Sequence, residues 1–156
     1  MERIEQDRRD GGAMTAVTIQ VTIEQARAMC RALDTYSRLC IGQFEALAQL
    51  CRDGTIPIGG VAVSEPRQVE SVEGCELIDR RLRECKQIAG YSPNGSNGIG
   101  HPHVHVSGHR TWELKKQIER ALAMHREPNP RFPSVDYDGR IVQYTSDPDA
   151  IVRIEP

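Results

Sequence analysis

The chain has few aromatic residues: one tryptophan, four tyrosines and two phenylalanines among 156 residues, 4% in all. Its core must therefore be mostly aliphatic and modest in size. It also lacks a dominant charge. Twenty basic residues against 22 acidic ones leave a net charge of −2, which gives no global pull toward duplex nucleic acid or an anionic membrane. No apolar run approaches the ~18 residues of a transmembrane helix. Residues 1–10 are mostly charged, unlike a signal peptide or an anchor. The expected location is the cytoplasm. The cysteines, Cys30, Cys40, Cys51, Cys75 and Cys85, are odd in number and include no Cys-x-x-Cys. Neither a disulfide framework nor paired zinc ligation is expected, and they read as small buried apolar residues. No internal repeat is present. The expected organisation is a disordered tail over 1–14 and a single domain over 15–156.

Hydrophobic periodicity supplies the elements. Val17, Ile19 and Val21 alternate with Thr18, Gln20 and Thr22, the pattern of a half-buried strand. Thr22-Ile23-Glu24-Gln25 then reads as a capping box. A long helix is expected from about Ile23 to Cys51. Its face of Ile23, Ala26, Cys30, Leu33, Ser37, Cys40, Phe44, Leu47 and Cys51 forms a heptad seam. Such a seam packs a neighbouring helix or the same helix of another subunit, so a homo-oligomer through helix 1 is expected. Gly42 lies inside that helix, where glycine costs ~1 kcal/mol against alanine. Gly54 is the expected stop. A second helix is expected over about Val69–Ala89, ended by Gly90. A third, capped by Ser107, should run from Gly108 to about Arg126, with Thr111, Leu114, Ile118, Ala121, Leu122 and His125 inward. Val135–Asp138 and Ile141–Tyr144 resemble a hairpin around Asp138-Gly139, and Ile151–Ile154 a last short strand. The expected fold class is α+β: two or three helices packed on a small antiparallel sheet that joins the N-terminal strand to the C-terminal ones.

The chemistry-bearing stretch is Asn94–Arg110, Asn-Gly-Ser-Asn-Gly-Ile-Gly-His-Pro-His-Val-His-Val-Ser-Gly-His-Arg. It supports three readings. In a strand, His101, His103 and His105 would share a face and, with His109, could ligate zinc or copper. Pro102 interrupts that regularity, and no carboxylate stands nearby to support the ligands, so no metal is expected. The second reading is a backbone-built anion loop, in which Asn94–Gly100 offers amides beside the start of a basic helix. It is not a P-loop, because the Gly-Lys-Ser/Thr ending is absent.

The third reading comes from a resemblance. His101-Pro102-His103-Val104-His105-Val106-Ser107 is similar to the signature of the histidine-triad nucleotide hydrolases and transferases. That resemblance implies His103 as the nucleophile on an α-phosphate, with His101 and His105 orienting it. Pro102 and Ser107 occupy positions that are apolar in that family, and no strand precedes the motif. The similarity is therefore taken as coincidental. A wider resemblance covers most of residues 15–155. Tyr36-Ser37-Arg38, Gly42-Gln43-Phe44-Glu45, the Asn97-Gly98-Ile99 loop and Val135–Asp138 resemble small phage- and prophage-encoded proteins of uncharacterised function. In that pattern His103, His105 and His109 have no counterpart.

The resulting expectation is a non-enzymatic phage-type binding protein, without a cofactor, in the host cytoplasm. One concrete form is a counter-defence sponge for a cyclic or linear nucleotide. Its phosphates would meet Asn94, Ser96, Asn97, Gly98, Ile99 and His101 with Arg38 and Arg110, and its base would stack on Phe44, Tyr91 or Trp112. The alternatives are the histidine-triad-like enzyme acting through His103 and a protein–protein module that blocks a host factor.

Overall fold

The computed structural model describes residues 17–56, 72–129 and 141–154. The tail over 1–14, the apolar piece Gly60–Val63, the start of the second expected helix and the Val135–Asp138 half of the expected hairpin lie outside these residues. The described residues form four helices: α1 Ile23–Cys40, α2 Glu45–Arg52, α3 Val72–Ile88 and α4 Val106–Arg126.

The expected α+β class is overturned. Among the described residues there is no strand and no sheet. A strand needs a neighbour to take its backbone groups, and the N-terminal segment has none: Val17 and Ile19 are 83% and 66% exposed. Residues 141–154 are instead laid along α4. Glu113 of α4 accepts from the amides of Tyr144 and Thr145 at 2.5 and 2.8 Å and from the Thr145 hydroxyl at 2.6 Å. Gln117 donates to Asp149 at 3.0 Å. A helix side chain, Glu113, thus satisfies two of the backbone amides that a sheet was expected to satisfy.

The long first helix is in fact two. The capping box forms as expected, with the Thr22 hydroxyl accepting from the Gln25 amide and the Gln25 side chain accepting from the Thr22 amide. The helix then stops at Cys40, because Gly42 turns the chain at φ +85° and its amide closes on the Leu39 carbonyl at 3.0 Å. The Tyr91 ring lies where a side chain at 42 would stand: a Cβ there would be 2.5 Å from its Cδ1. Glycine is thus required by both backbone and packing. Gly54 and Gly90, at φ +71° and +85°, follow α2 and α3 as expected.

Two antiparallel helix pairs make up the body. In the first, α4 runs back along α1. A Cβ on Gly108 would come within 2.8 Å of Cys40 Cβ, and Lys115 reaches Asp34 at 2.5 Å. The expected seam residues Cys30 and Ser37 are buried on this stretch, so α4 of the same chain covers part of the seam. In the second pair, Lys86 near the end of α3 meets Glu45 at the start of α2 at 2.6 Å. At the other end Cys51 and Cys75 are both buried, 8% and 5% exposed. Among the described residues the core is Cys30, Ile41, Ala48, Cys51, Cys75, Val104, Ile118 and Ala123, with no aromatic residue, in keeping with the composition. Cys85, however, is exposed.

α4 begins earlier than expected, at Val106. His105 rather than Ser107 caps it, its Nδ1 accepting from the Ser107 amide at 3.3 Å. Its buried face is Gly108, Lys115, Ile118 and Ala123, and His125 is exposed. No helix among the described residues is long and apolar enough to cross a membrane.

Candidate functional site

The site forms where the α1–α2 turn meets the loop that follows α3. That loop is pinned at two points. Tyr91 packs edge-on against Phe44, ring centroids 6.3 Å apart, and under Gly42. The Asn97 amide donates to the Ile41 carbonyl at 2.9 Å. The loop is thereby held over the start of α2. Together they enclose an open cleft of about 440 Å³, lined by Arg38, Gln43, Glu45, Ala46, Gln49, Arg52, Lys86 and Asn94–Ser96.

A chain of hydrogen bonds sets the side chains. Lys115 of α4 donates to Asp34 Oδ1 at 2.5 Å, and Arg38 Nε donates to Oδ2 of the same carboxylate at 2.6 Å. Arg38 Nη1 then donates to Gln43 Oε1 at 3.0 Å, and Gln43 Nε2 donates to Ser96 Oγ at 3.3 Å. One polar line thus joins α4, α1, the turn and the loop. Burial would raise the Asp34 carboxyl, but the hydrogen bonds and charges of Lys115 and Arg38 outweigh it and hold the group below its usual range. Asp34 is therefore a fixed anion that orients Arg38.

The opposite wall is α2. Glu45, Gln49 and Arg52 stand at i, i+4 and i+7, one face of a helix. Arg52 Nε donates to Gln49 Oε1 at 3.2 Å. Lys86, 2% exposed, lies against Glu45. Burial would raise the Glu45 carboxyl; the Lys86 hydrogen bond, its own backbone amide and the Lys86 charge bring it below the usual value. Among the described lining residues, Arg38, Arg52 and Lys86 stand against one carboxylate, Glu45, with Arg38 also paired to Asp34 behind it, so the lining is mildly basic and rich in amides. Such a lining is suited to an anion that offers several acceptor oxygens. A second hollow of about 570 Å³ lies on the far side of Arg38. Of the charged residues in its lining, Lys115 is paired with both Asp34 and Glu119, and Arg38 with Asp34.

The sequence-predicted residues divide. Arg38, Asn94 and Ser96 come together in the cleft. Asn97 is close by, with its amide spent on Ile41. The Gly98 carbonyl accepts the His101 amide at 2.9 Å, closing a turn, and Ile99 is half-buried. The loop amides of residues 95, 97 and 101 are thus taken internally. Phe44 and Tyr91 are packed on each other. Trp112 lies beneath the ammonium groups of Lys115 and Lys116, 5.0 and 5.1 Å from its ring, and Arg110 is paired with Asp147 at 2.5 Å. None of these four lines the cleft. His101 stands edge-on to His103, centroids 5.0 Å apart. His105 is the α4 cap, and His109 stacks on Tyr144 at 5.4 Å. No group of three or more His, Cys, Asp or Glu side chains among the described residues is arranged to hold a metal ion.

The sequence assigns no binding role to Gln49, Arg52 or Lys86, marks Gln43 and Glu45 only through the resemblance, and places Lys86 on a solvated face, whereas it is 2% exposed. The i, i+4, i+7 polar stripe on α2 was a usable signal. Nothing local marks Lys86.

No protein-family model, curated protein or solved structure matches the chain.

Proposed function

We propose that the protein binds a phosphate-bearing small molecule without transforming it. On this reading it is a phage-type counter-defence sponge that sequesters a cyclic or linear nucleotide signal. The observation that supports this reading is the basic, amide-rich cleft in which Arg38, Asn94 and Ser96 meet Arg52 and Lys86. Its volume of about 440 Å³ falls in the range of small-molecule sites, roughly 300–1,000 Å³. Asp34 fixes the Arg38 guanidinium before any ligand arrives. Such preorganisation lowers the ordering cost of binding.

Calorimetric titration with a panel of linear and cyclic nucleotides is the direct test. Saturable heat that disappears in Arg52→Gln supports the proposal; no heat from any member removes it. Recovery of a host protein on the full chain, unaffected by Arg52→Gln, would favour a protein–protein module instead. Release of AMP from an adenosine phosphoramidate, abolished by His103→Ala, would favour the histidine-triad alternative. Self-association through helix 1 belongs to the same proposal. It would use the seam positions of α1 that stay partly exposed, such as Ile23, Ala26 and Leu33. Sedimentation showing a monomer at all accessible concentrations removes that part.

A further inference from the structure

Lys86 is the largest fully buried side chain among the described residues. Its Nζ donates to Glu45 Oε1 at 2.6 Å, and the Glu45 side chain is 37% exposed. An ammonium offers three donors; Glu45 Oε1 is its acceptor among the described residues, and Lys86 is part of the cleft lining. A buried cation requires an adjacent anion, whatever the source of that anion. The fold already carries the desolvation of Lys86, and exchanging one anion for another adds little to it.

Arg52 Nε rests on the neutral amide oxygen of Gln49, and Arg38, anchored through Nε on Asp34, has its Nη1 on the neutral amide oxygen of Gln43; an anion can displace either amide. A phosphate monoester brings about −1.5 to −2 charge and three acceptor oxygens, against the single charge of Glu45 or of a phosphodiester. Among the described residues, no aromatic side chain lines the cleft to receive a base. Phe44 and Tyr91 are committed to each other and Trp112 to two lysines.

We infer that Glu45 is a built-in substitute for the ligand. A terminal phosphate monoester enters the cleft and takes Lys86 from Glu45, while Arg38 and Arg52 accept its remaining oxygens. Sugar and base contribute little, so the site reads the phosphate and not the nucleoside. This rests on the cleft being a phosphate site, as proposed above.

The test is calorimetry with ribose 5-phosphate, 5′-AMP and 3′,5′-cyclic AMP on the full chain, as wild type, Glu45→Gln and Lys86→Met. Ribose 5-phosphate and 5′-AMP should bind alike, and cyclic AMP about tenfold more weakly, the loss expected for one charge-assisted interaction. Glu45→Gln removes the competing charge but keeps an acceptor for Lys86, and should tighten binding about tenfold. Lys86→Met should weaken it by at least about tenfold. That variant leaves only the partly exposed Glu45 unpaired, and circular dichroism verifies its fold; should it not fold, Glu45→Gln alone decides.

Wild-type binding that Glu45→Gln does not tighten overturns the exchange and leaves the phosphate reading standing. Cyclic AMP binding as tightly as 5′-AMP overturns the monoester preference. Binding by Glu45→Gln alone supports the exchange, since the wild type is then blocked by its own carboxylate. Absence of binding to both proteins overturns the phosphate reading and this inference with it.

Discussion

Replacing Gly42 by alanine separates two descriptions of the chain by the sign of the effect. In one continuous helix from Ile23 to Cys51, alanine at 42 would stabilise the protein by about 1 kcal/mol. In the observed turn it does the opposite. Position 42 sits at φ +85°, a conformation that costs an L-residue roughly 1–2 kcal/mol. The new Cβ would also lie 2.5 Å from Tyr91 Cδ1 and Cε1. The ring cannot retreat freely, because its edge meets Phe44 and its hydroxyl donates to the Cys40 carbonyl at 3.4 Å. Overpacking of this kind adds about 1–3 kcal/mol. The expected loss is therefore about 2–5 kcal/mol, read as a lower urea midpoint at unchanged slope.

A double-mutant cycle divides the two causes. In a Tyr91→Ala background the ring is gone, and Gly42→Ala should cost only the backbone share of about 1–2 kcal/mol. The difference between the two backgrounds measures the clash. The same substitution should weaken ligand binding in the cleft, because Tyr91 leads into the loop that carries Asn94 and Ser96. A Gly42→Ala protein as stable as the wild type, or more so, would refute the turn and restore the continuous helix.

Further outcomes follow from the same contacts. Asp34→Asn leaves Lys115, 10% exposed at its side chain, with only its longer 3.4 Å contact to Glu119. It should cost about 1–3 kcal/mol, at the lower end because Asp34 is partly solvated; thermal unfolding measures it. Asp34 and Glu45 are both held below their usual values. Their stabilisation is therefore complete above the ordinary carboxylate range and is lost as pH falls through the lowered values. Unfolding free energy should decline with acid below about pH 4, and the decline should be shallower in a Glu45→Gln protein. Gly108→Ala places a Cβ 2.8 Å from Cys40 Cβ and should cost about 1–3 kcal/mol by separating α1 from α4. Glu113→Ala removes the acceptor for two backbone amides. Hydrogen exchange at Tyr144 and Thr145 should rise in that variant while α1 is unaffected.

What could be read from the sequence follows the range of the forces involved. The Thr22–Gln25 capping box and the glycines at 54 and 90 work within a few residues, and each was legible. The break at Gly42 was not, because the apolar spacing runs through Cys40, Phe44, Leu47 and Cys51 without losing phase. A one-dimensional pattern cannot tell a bend from a continuation when the phase survives the bend. Here the deciding interaction is Tyr91, far along the chain. The strands failed for a related reason: alternation at Val17–Val21 states a preference for two faces but provides no partner, and the C-terminal segment had already been taken by Glu113 and Gln117.

The cleft depends on the same long-range step. Arg38 closes α1, Gln43 sits in the turn, Gln49 and Arg52 lie on α2, Lys86 comes from α3 and Ser96 from the loop beyond it. They become neighbours only after Gly42 has turned the chain and Tyr91 has packed beneath it. A site built from one contiguous run, as Asn94–Arg110 suggested, would survive a straightened helix. The cleft would not: straightening residues 41–44 would carry the α2 wall away from Ser96. Binding and the turn at Gly42 are therefore one structural event, and Gly42→Ala should impair ligand capture even under conditions where the protein remains folded.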